Sequence, residues 1–251
     1  MKKNEFRAWV YTAGQLDEAI CSSDVSMVYT PEKLLSEKYA VFADRIIVLP
    51  PEFLGGIEEQ TKNRLEALKE MGFIKALAHT AGHIELLKSI GLNMHGGARL
   101  NCTNSESMSF FADNGLCDII VSQELTAKQI NRLRKPISTG IIAYGKIPLM
   151  LDRRCPVKDG RPCGGANTGC DRKITDRKGN TLEILCSDNS VEILNSDTLI
   201  LSDKLSDFDI DFAVLRFTTE KEISSVISCY RDGRMTDIGR YTRGLYYRGV
   251  S

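Results

Sequence analysis

Four cysteines, Cys155, Cys163, Cys170 and Cys186, fall within 32 residues, in a segment that also carries Gly160, Gly164, Gly165 and Gly169. Thiolates bind soft and borderline metals strongly, and four of them complete a tetrahedral zinc site or ligate an iron–sulfur cubane. Glycine suits that task, because the loop must fold its backbone around the metal and present N–H groups to sulfur. The spacing, Cys-x7-Cys-x6-Cys-x15-Cys, lacks the Cys-x-x-Cys pairs of a zinc ribbon, which weakens a structural-zinc reading. Four unrelated thiols in a polar loop would give the same residues, and spacing alone does not choose between zinc and iron. The other cysteines, Cys21, Cys102, Cys117 and Cys229, stand in apolar or element-edge contexts and read mostly as small buried hydrophobes.

A second set of candidates is polar. Glu124 and Tyr144 are the candidate catalytic groups, and Arg99, Asn101, Asn104 and Arg216 the candidate substrate-binding ones. The two guanidiniums could grip a carboxylate or phosphate, and Glu124 could act as an acid–base. The competing reading is a buried structural ion pair between Arg99 and Glu124. His79, His83 and His95 are the only histidines, and no His-x-x-x-His with an interposed Glu is present, so a zinc-protease mechanism lacks its equipment. Cys102 with His95 is a conceivable thiol–imidazole pair, and no Gly-x-Ser-x-Gly occurs.

The elements that must hold these residues alternate. Candidate strands at 7–12, 25–30, 45–50, 73–79, 93–101, 118–122, 138–144 and 212–217 are separated by amphipathic stretches at 13–21, 56–71, 81–90, 105–114, 127–134 and 221–230. In the second of these, Leu65, Leu68 and Met71 recur at helical spacing while Lys62, Arg64, Glu66 and Lys69 face out. Asn104 and Thr126 suit helix N-caps, and Gly72 and Gly91 suit left-handed C-caps. Alternating strands and helices argue for parallel β joined by right-handed crossovers, and eight strands favour a closed (β/α)8 barrel. An open doubly wound sheet is the alternative, without its Gly-x-Gly-x-x-Gly fingerprint. One segment, about 148–203, breaks the rhythm. It has no helix pattern, carries all four clustered cysteines, and holds a hairpin turn at Asp176–Asn180. The expectation is therefore one barrel-like domain over 1–251 with a Cys-rich, metal-binding insertion before the last strand. Barrel active sites lie at the C-terminal strand ends, where that insertion and Arg99, Asn101, Glu124, Tyr144 and Arg216 would emerge.

Lys+Arg and Asp+Glu both number 33, so no global field draws the protein to nucleic acid or anionic lipid, although a local patch could still serve an RNA substrate. The run Arg231, Arg234, Arg240, Arg243 and Arg248 with Tyr241, Tyr246 and Tyr247 reads more as a solvated tail than as such a patch. No signal-peptide pattern opens the chain, and its apolar runs are too short to cross a bilayer. A cytoplasmic protein with reduced cysteines is expected.

Several phrases carry a resemblance. Gly97-Ala98-Arg99-Leu100-Asn101 followed by Asn104-Ser105, then Ser122-Gln123-Glu124-Leu125-Thr126, then Tyr144-Gly145-Lys146-Ile147-Pro148-Leu149-Met150 and Cys155-Pro156-Val157, stand in the order of the collagenase-like peptidase U32 family. Asp176-Arg177-Lys178-Gly179, Cys186 with Ile193-Leu194-Asn195-Ser196, Arg216-Phe217-Thr218-Thr219-Glu220 and Thr242-Arg243-Gly244 continue it. The resemblance implies a barrel-like fold and, on Cys155, Cys163, Cys170 and Cys186, a [4Fe–4S] cluster, with zinc as the alternative. Branches of the family that carry a cluster support hydroxylation of RNA or of a ubiquinone precursor, so it further implies modification of RNA or a small aromatic substrate, with a possible partner protein. A U32-type peptidase and a non-catalytic zinc-stabilised scaffold are the competing readings. Pro148 stands where some branches place another ligand cysteine.

Overall fold

In a computed structural model describing residues 5–157, 160, 171–187, 189–235 and 239–245, the strands follow the expected rhythm. They are β1 (Glu5–Trp9), β2 (Val25–Pro31), β3 (Ile46–Leu49), β4 (Lys75–Ala78), β5 (Asn93–Gly96), β6 (Leu116–Ile120) and β7 (Ser138–Asp152). After these come β8 (Lys173–Thr175), β9 (Thr181–Cys186), β10 (Val191–Ile200), β11 (Phe212–Arg216) and the short β12 (Tyr241–Thr242). Strands β1 to β7 pair in sequence and in parallel, and β11 pairs in parallel with both β7 and β1. The ring therefore closes as an eight-stranded (β/α) barrel, as the alternation implied. Strand β3 is buried along its whole length, as parallel strands covered on both faces must be.

Among the described residues six α-helices lie between strands: α1 (Ala13–Cys21), α2 (Glu58–Glu70), α3 (Ala81–Ile90), α4 (Ser105–Asp113), α5 (Ala127–Arg132) and α6 (Ser224–Arg231). Their starts are written locally. The side chains of Thr12, Thr80, Asn104 and Thr126 each accept a first-turn backbone N–H, and Thr126 forms a reciprocal capping box with Gln129. Gly91 ends α3 in the left-handed conformation.

The β2–β3 connection, where the sequence marked no helix, is a pair of 3-10 segments, Glu32–Leu34 and Glu37–Arg45. Two features differ from the sequence reading. The strand expected over 93–101 stops at Gly96. A 3-10 turn at Ala98–Leu100 follows, and Asn101 sits left-handed at φ 50, its side chain accepting a 2.6 Å bond from the Ser122 hydroxyl. Strand β7 runs well past Tyr144 and pairs antiparallel with β10, which pairs with β9, which pairs with β8. Pro148 sits opposite Leu194 beside a register shift, a position where a missing N–H is tolerated. The insertion is thus a β layer grown on β7, and its hairpin turns at the residues expected.

Inside the ring, Arg7 on β1 donates to Asp118 on β6 at 2.6 Å and to the Tyr29 hydroxyl at 3.0 Å, and Asp118 also meets His95 on β5 at 2.9 Å. Strands β1 and β6 are not neighbours, so these contacts cross the barrel interior. Below them, Phe212 fills the space left by Gly140, where a Cβ would come within 2.2 Å of its ring.

Candidate functional site

Arg216, Arg99, Glu52 and His79, from the ends of four barrel strands, meet Glu192 of the insertion at the C-terminal mouth. Arg216, the last residue of β11, donates to the Tyr11 hydroxyl at 2.6 Å, to the Lys146 carbonyl at 3.1 Å and to the Glu192 carboxylate. Arg99, after β5, donates to the other Glu192 oxygen and stands 3.3 Å from Glu52, which follows β3. His79, just beyond β4, brings its Nε2 within 3.6 Å of Glu52. Trp9 stacks between Tyr11 and His79, with ring centroids 6.4 and 5.7 Å away, and the Arg216 guanidinium lies over it.

Burial and charge set the protonation states. Burial works to raise Glu192, but Arg216 and Arg99 outweigh it and hold the carboxyl below its ordinary range. Glu52 goes the other way: burial, then the neighbouring Glu192 charge, push it up to about 7 against the pull of Arg99 and Arg216. Burial, then Arg99, push His79 down to about 3, so it is neutral near physiological pH. Burial also raises the Tyr11 hydroxyl, although Arg216 opposes it.

Above this network opens a cavity of about 1240 Å³, lined among others by Tyr11, Glu52, Lys173, Cys186, Glu192 and Thr218. Its walls come from the ends of β1, β2, β3 and β11 on one side and from the insertion on the other. It occupies the position expected of a barrel active site.

The expected site residues divide. Arg99 and Arg216 belong to the mouth network. The suspected Arg99–Glu124 pair is not formed: Arg99 is taken by Glu52 and Glu192, and Glu124 is exposed at the β6–α5 turn. Asn101 accepts from the Ser122 hydroxyl, a side-chain bond that links the segments after β5 and β6, and Asn104 caps α4. Tyr144 packs against Phe217 and against Tyr230 of α6, and its hydroxyl donates to Glu220 at 3.1 Å. Burial and Glu220 both raise that hydroxyl. Sequence reasoning missed Tyr11, Glu52 and Glu192, and considered His79 only as one of three histidines without a zinc-protease motif. The available signal was position, since Tyr11 and His79 fall in the last two residues of expected strands and Glu52 lies two residues past the third.

Two of the four clustered cysteines can be placed. Cys155 is buried in a small apolar cluster with Ile184 and Val191, and Cys186 packs against that same cluster. Val191 is the register partner of Cys186, and the Cys155 N–H donates to the Gly160 carbonyl at 2.7 Å. Cys163 and Cys170 lie outside the described residues. Among the described residues no group of three or more His, Cys, Asp or Glu side chains forms a metal site. Cys155 and Cys186 thus reach one small apolar cluster from separate parts of the insertion, and their sulfurs are of the donor type that a four-sulfur centre uses.

The remaining candidates are accounted for structurally. His83 meets Thr80 at 2.9 Å and the Pro51 carbonyl at 3.0 Å. Its ring lies 5.9 Å from that of His79, edge to face. Cys102 contacts Ser107 and Asn104, and burial raises its thiol, while His95 is engaged by Asp118, so that pair is not an activated thiolate. Arg231, Arg234, Arg240 and Arg243 each pair with an aspartate, which removes the basic patch, and Arg248 lies outside the described residues. No helix among the described residues is long and apolar enough to cross a membrane.

The family model described as Peptidase family U32 matches residues 57–170, from the start of α2 through β7 to Cys170. The match begins upstream of the first motif phrase at Gly97 and stops short of those at Asp176, Arg216 and Thr242. No curated protein matches the chain.

Proposed function

We propose, from the match of residues 57–170 to the peptidase family U32 model, that the chain is an iron–sulfur protein that modifies RNA or a small aromatic substrate by hydroxylation. Cys155, Cys163, Cys170 and Cys186 would hold a [4Fe–4S] cluster on thiolates, which when bound supplies one-electron chemistry. The observation that carries the reading is the meeting of Cys155 and Cys186 in one apolar cluster, with Cys186 also on the cavity wall. Substrate would enter the cavity over Tyr11, between the barrel mouth and the insertion. Arg216 and Arg99 are both held by Glu192, which fixes them in the floor.

Oxygen-free purification tests this. The expected product is a brown protein with about four irons and four sulfides per chain, a colour lost in Cys186→Ser and kept in Cys21→Ser. A colourless protein with one zinc would instead support the scaffold reading. The family description favours peptidase activity as a second reading. Peptide cleavage that survives metal removal but not loss of one named thiol would establish it.

A further inference from the structure

We propose that Glu52, backed by His79, is a proton-carrying acid–base group at the cavity floor, placed to exchange a proton with an oxygen or nitrogen of the bound ligand. The inference holds with or without a cluster, because it rests on the barrel alone.

The contrast between the two mouth carboxylates carries it. Glu192 accepts hydrogen bonds from both arginines and is spent on them. Glu52 accepts none from any described residue. Its Oε2 is buried without a hydrogen-bond partner among the described residues, although Arg99 stands 3.3 Å away, and its side chain keeps 15% exposure on the cavity wall. Among the described residues both ring nitrogens of His79 are likewise buried without a hydrogen-bond partner, and so is the Trp9 Nε1 beside it. Native interiors rarely leave such groups unmatched, and a group that must meet a ligand is one physical reason to do so. Gly97 permits the approach, since a Cβ there would stand 2.8 Å from His79 Nδ1.

The groups facing Glu52 come from every side of the mouth: Arg99 after β5, Arg216 on β11, Glu192 on β10, His79 after β4 and His83 on α3. The arginines favour the ionised carboxyl, while burial and Glu192 favour the protonated one. The balance falls near neutrality, where a group can both give and take a proton. Neutral His79 adds no charge, and its Nε2 at 3.6 Å is within reach of the Glu52 O–H after a small shift. A purely structural partner for Arg99 would instead be held ionised by hydrogen bonds, as Glu192 is.

The test uses the full chain and dicyclohexylcarbodiimide. This reagent takes up a protonated carboxyl: the carboxyl oxygen bonds to the carbodiimide carbon, the proton passes to its nitrogen, and the adduct rearranges to a stable acylurea. Peptide mapping should find Glu52 labelled ahead of Glu32, Glu183 and Glu220 of the same cavity, and about tenfold more slowly at about pH 8 than at about pH 6. Arg99→Gln, which removes a cation favouring ionisation, should move the midpoint upward, and Glu52→Gln should abolish the label. Labelling of Glu52 no faster than of its neighbours, no labelling, or labelling independent of pH would overturn the proposal and leave Glu52 an ordinary ion-pair carboxylate.

Discussion

Glu52 and His79 lie side by side in a low-dielectric floor, and each prefers to be neutral there. Their effects on stability run in opposite directions. Folded Glu52 keeps its proton up to about 7, whereas the unfolded carboxyl releases it near 4.5. Between those values the folded state binds more protons, so the stability Glu52 contributes in acid is lost as pH rises. The gap corresponds to at most about 3 kcal/mol. His79 is depressed from 6.5 to about 3, so its contribution is present above pH 6.5 and falls away as the solution is acidified. Glu52→Gln removes the first effect and leaves the second. Urea unfolding of wild type and variant should show the variant gaining relative stability between about pH 5 and about pH 8, by up to about 3 kcal/mol. A difference constant across that range would mean that Glu52 titrates alike in the folded and unfolded chain.

Among the elements, the barrel strands and most helices were legible because periodicity and caps are local. The all-apolar Ile46–Leu49, the Thr126–Gln129 capping box and the Gly91 terminus each announce their element within a few residues. The β layer was not legible in full. Strand β10 alternates poorly, pairs across register shifts and takes its partners from β7 and β9, so nothing near it in sequence fixes its length. The site divides on the same ground. Arg99 and Arg216 could be placed at strand ends, but their carboxylate partners, Glu52 and Glu192, are 47 and 24 residues away and declare themselves only once the ring closes. Closure itself depends on two glycines of β7. Gly140 leaves room for the Phe212 ring, and Gly145, at φ 115, would put a Cβ 2.0 Å from the Arg216 carbonyl oxygen. Gly140→Ala should cost about 1–3 kcal/mol by overpacking, and Gly145→Ala more, because backbone strain adds to the clash. Denaturant titrations followed by circular dichroism would rank them, and an unperturbed Gly140→Ala would show that the β7–β11 seam has slack.

At the scale of the molecule, one strand joins the barrel to the cysteine-bearing layer. On β10, Val191 packs with Cys155 while the next residue, Glu192, reaches the barrel mouth and is held by Arg99 and Arg216. Successive side chains on a strand point to opposite faces, so one peptide unit ties the apolar cluster around Cys155 on one side to the charged floor on the other. Removing one partner of a buried ion pair leaves the remaining charge uncompensated, at a cost of about 3–5 kcal/mol. Here that cost falls on a contact between two layers, because the arginines belong to the barrel and the carboxylate to the insertion. Glu192→Gln should therefore loosen β9 and β10 while the ring of β1 to β6 stays closed. Hydrogen exchange would be read separately over 181–200 and over 25–120. A rise confined to the first span is the expected result. An equal rise in both would show the clamp to be part of the barrel's own cooperative core, with no separate hold on the cysteines.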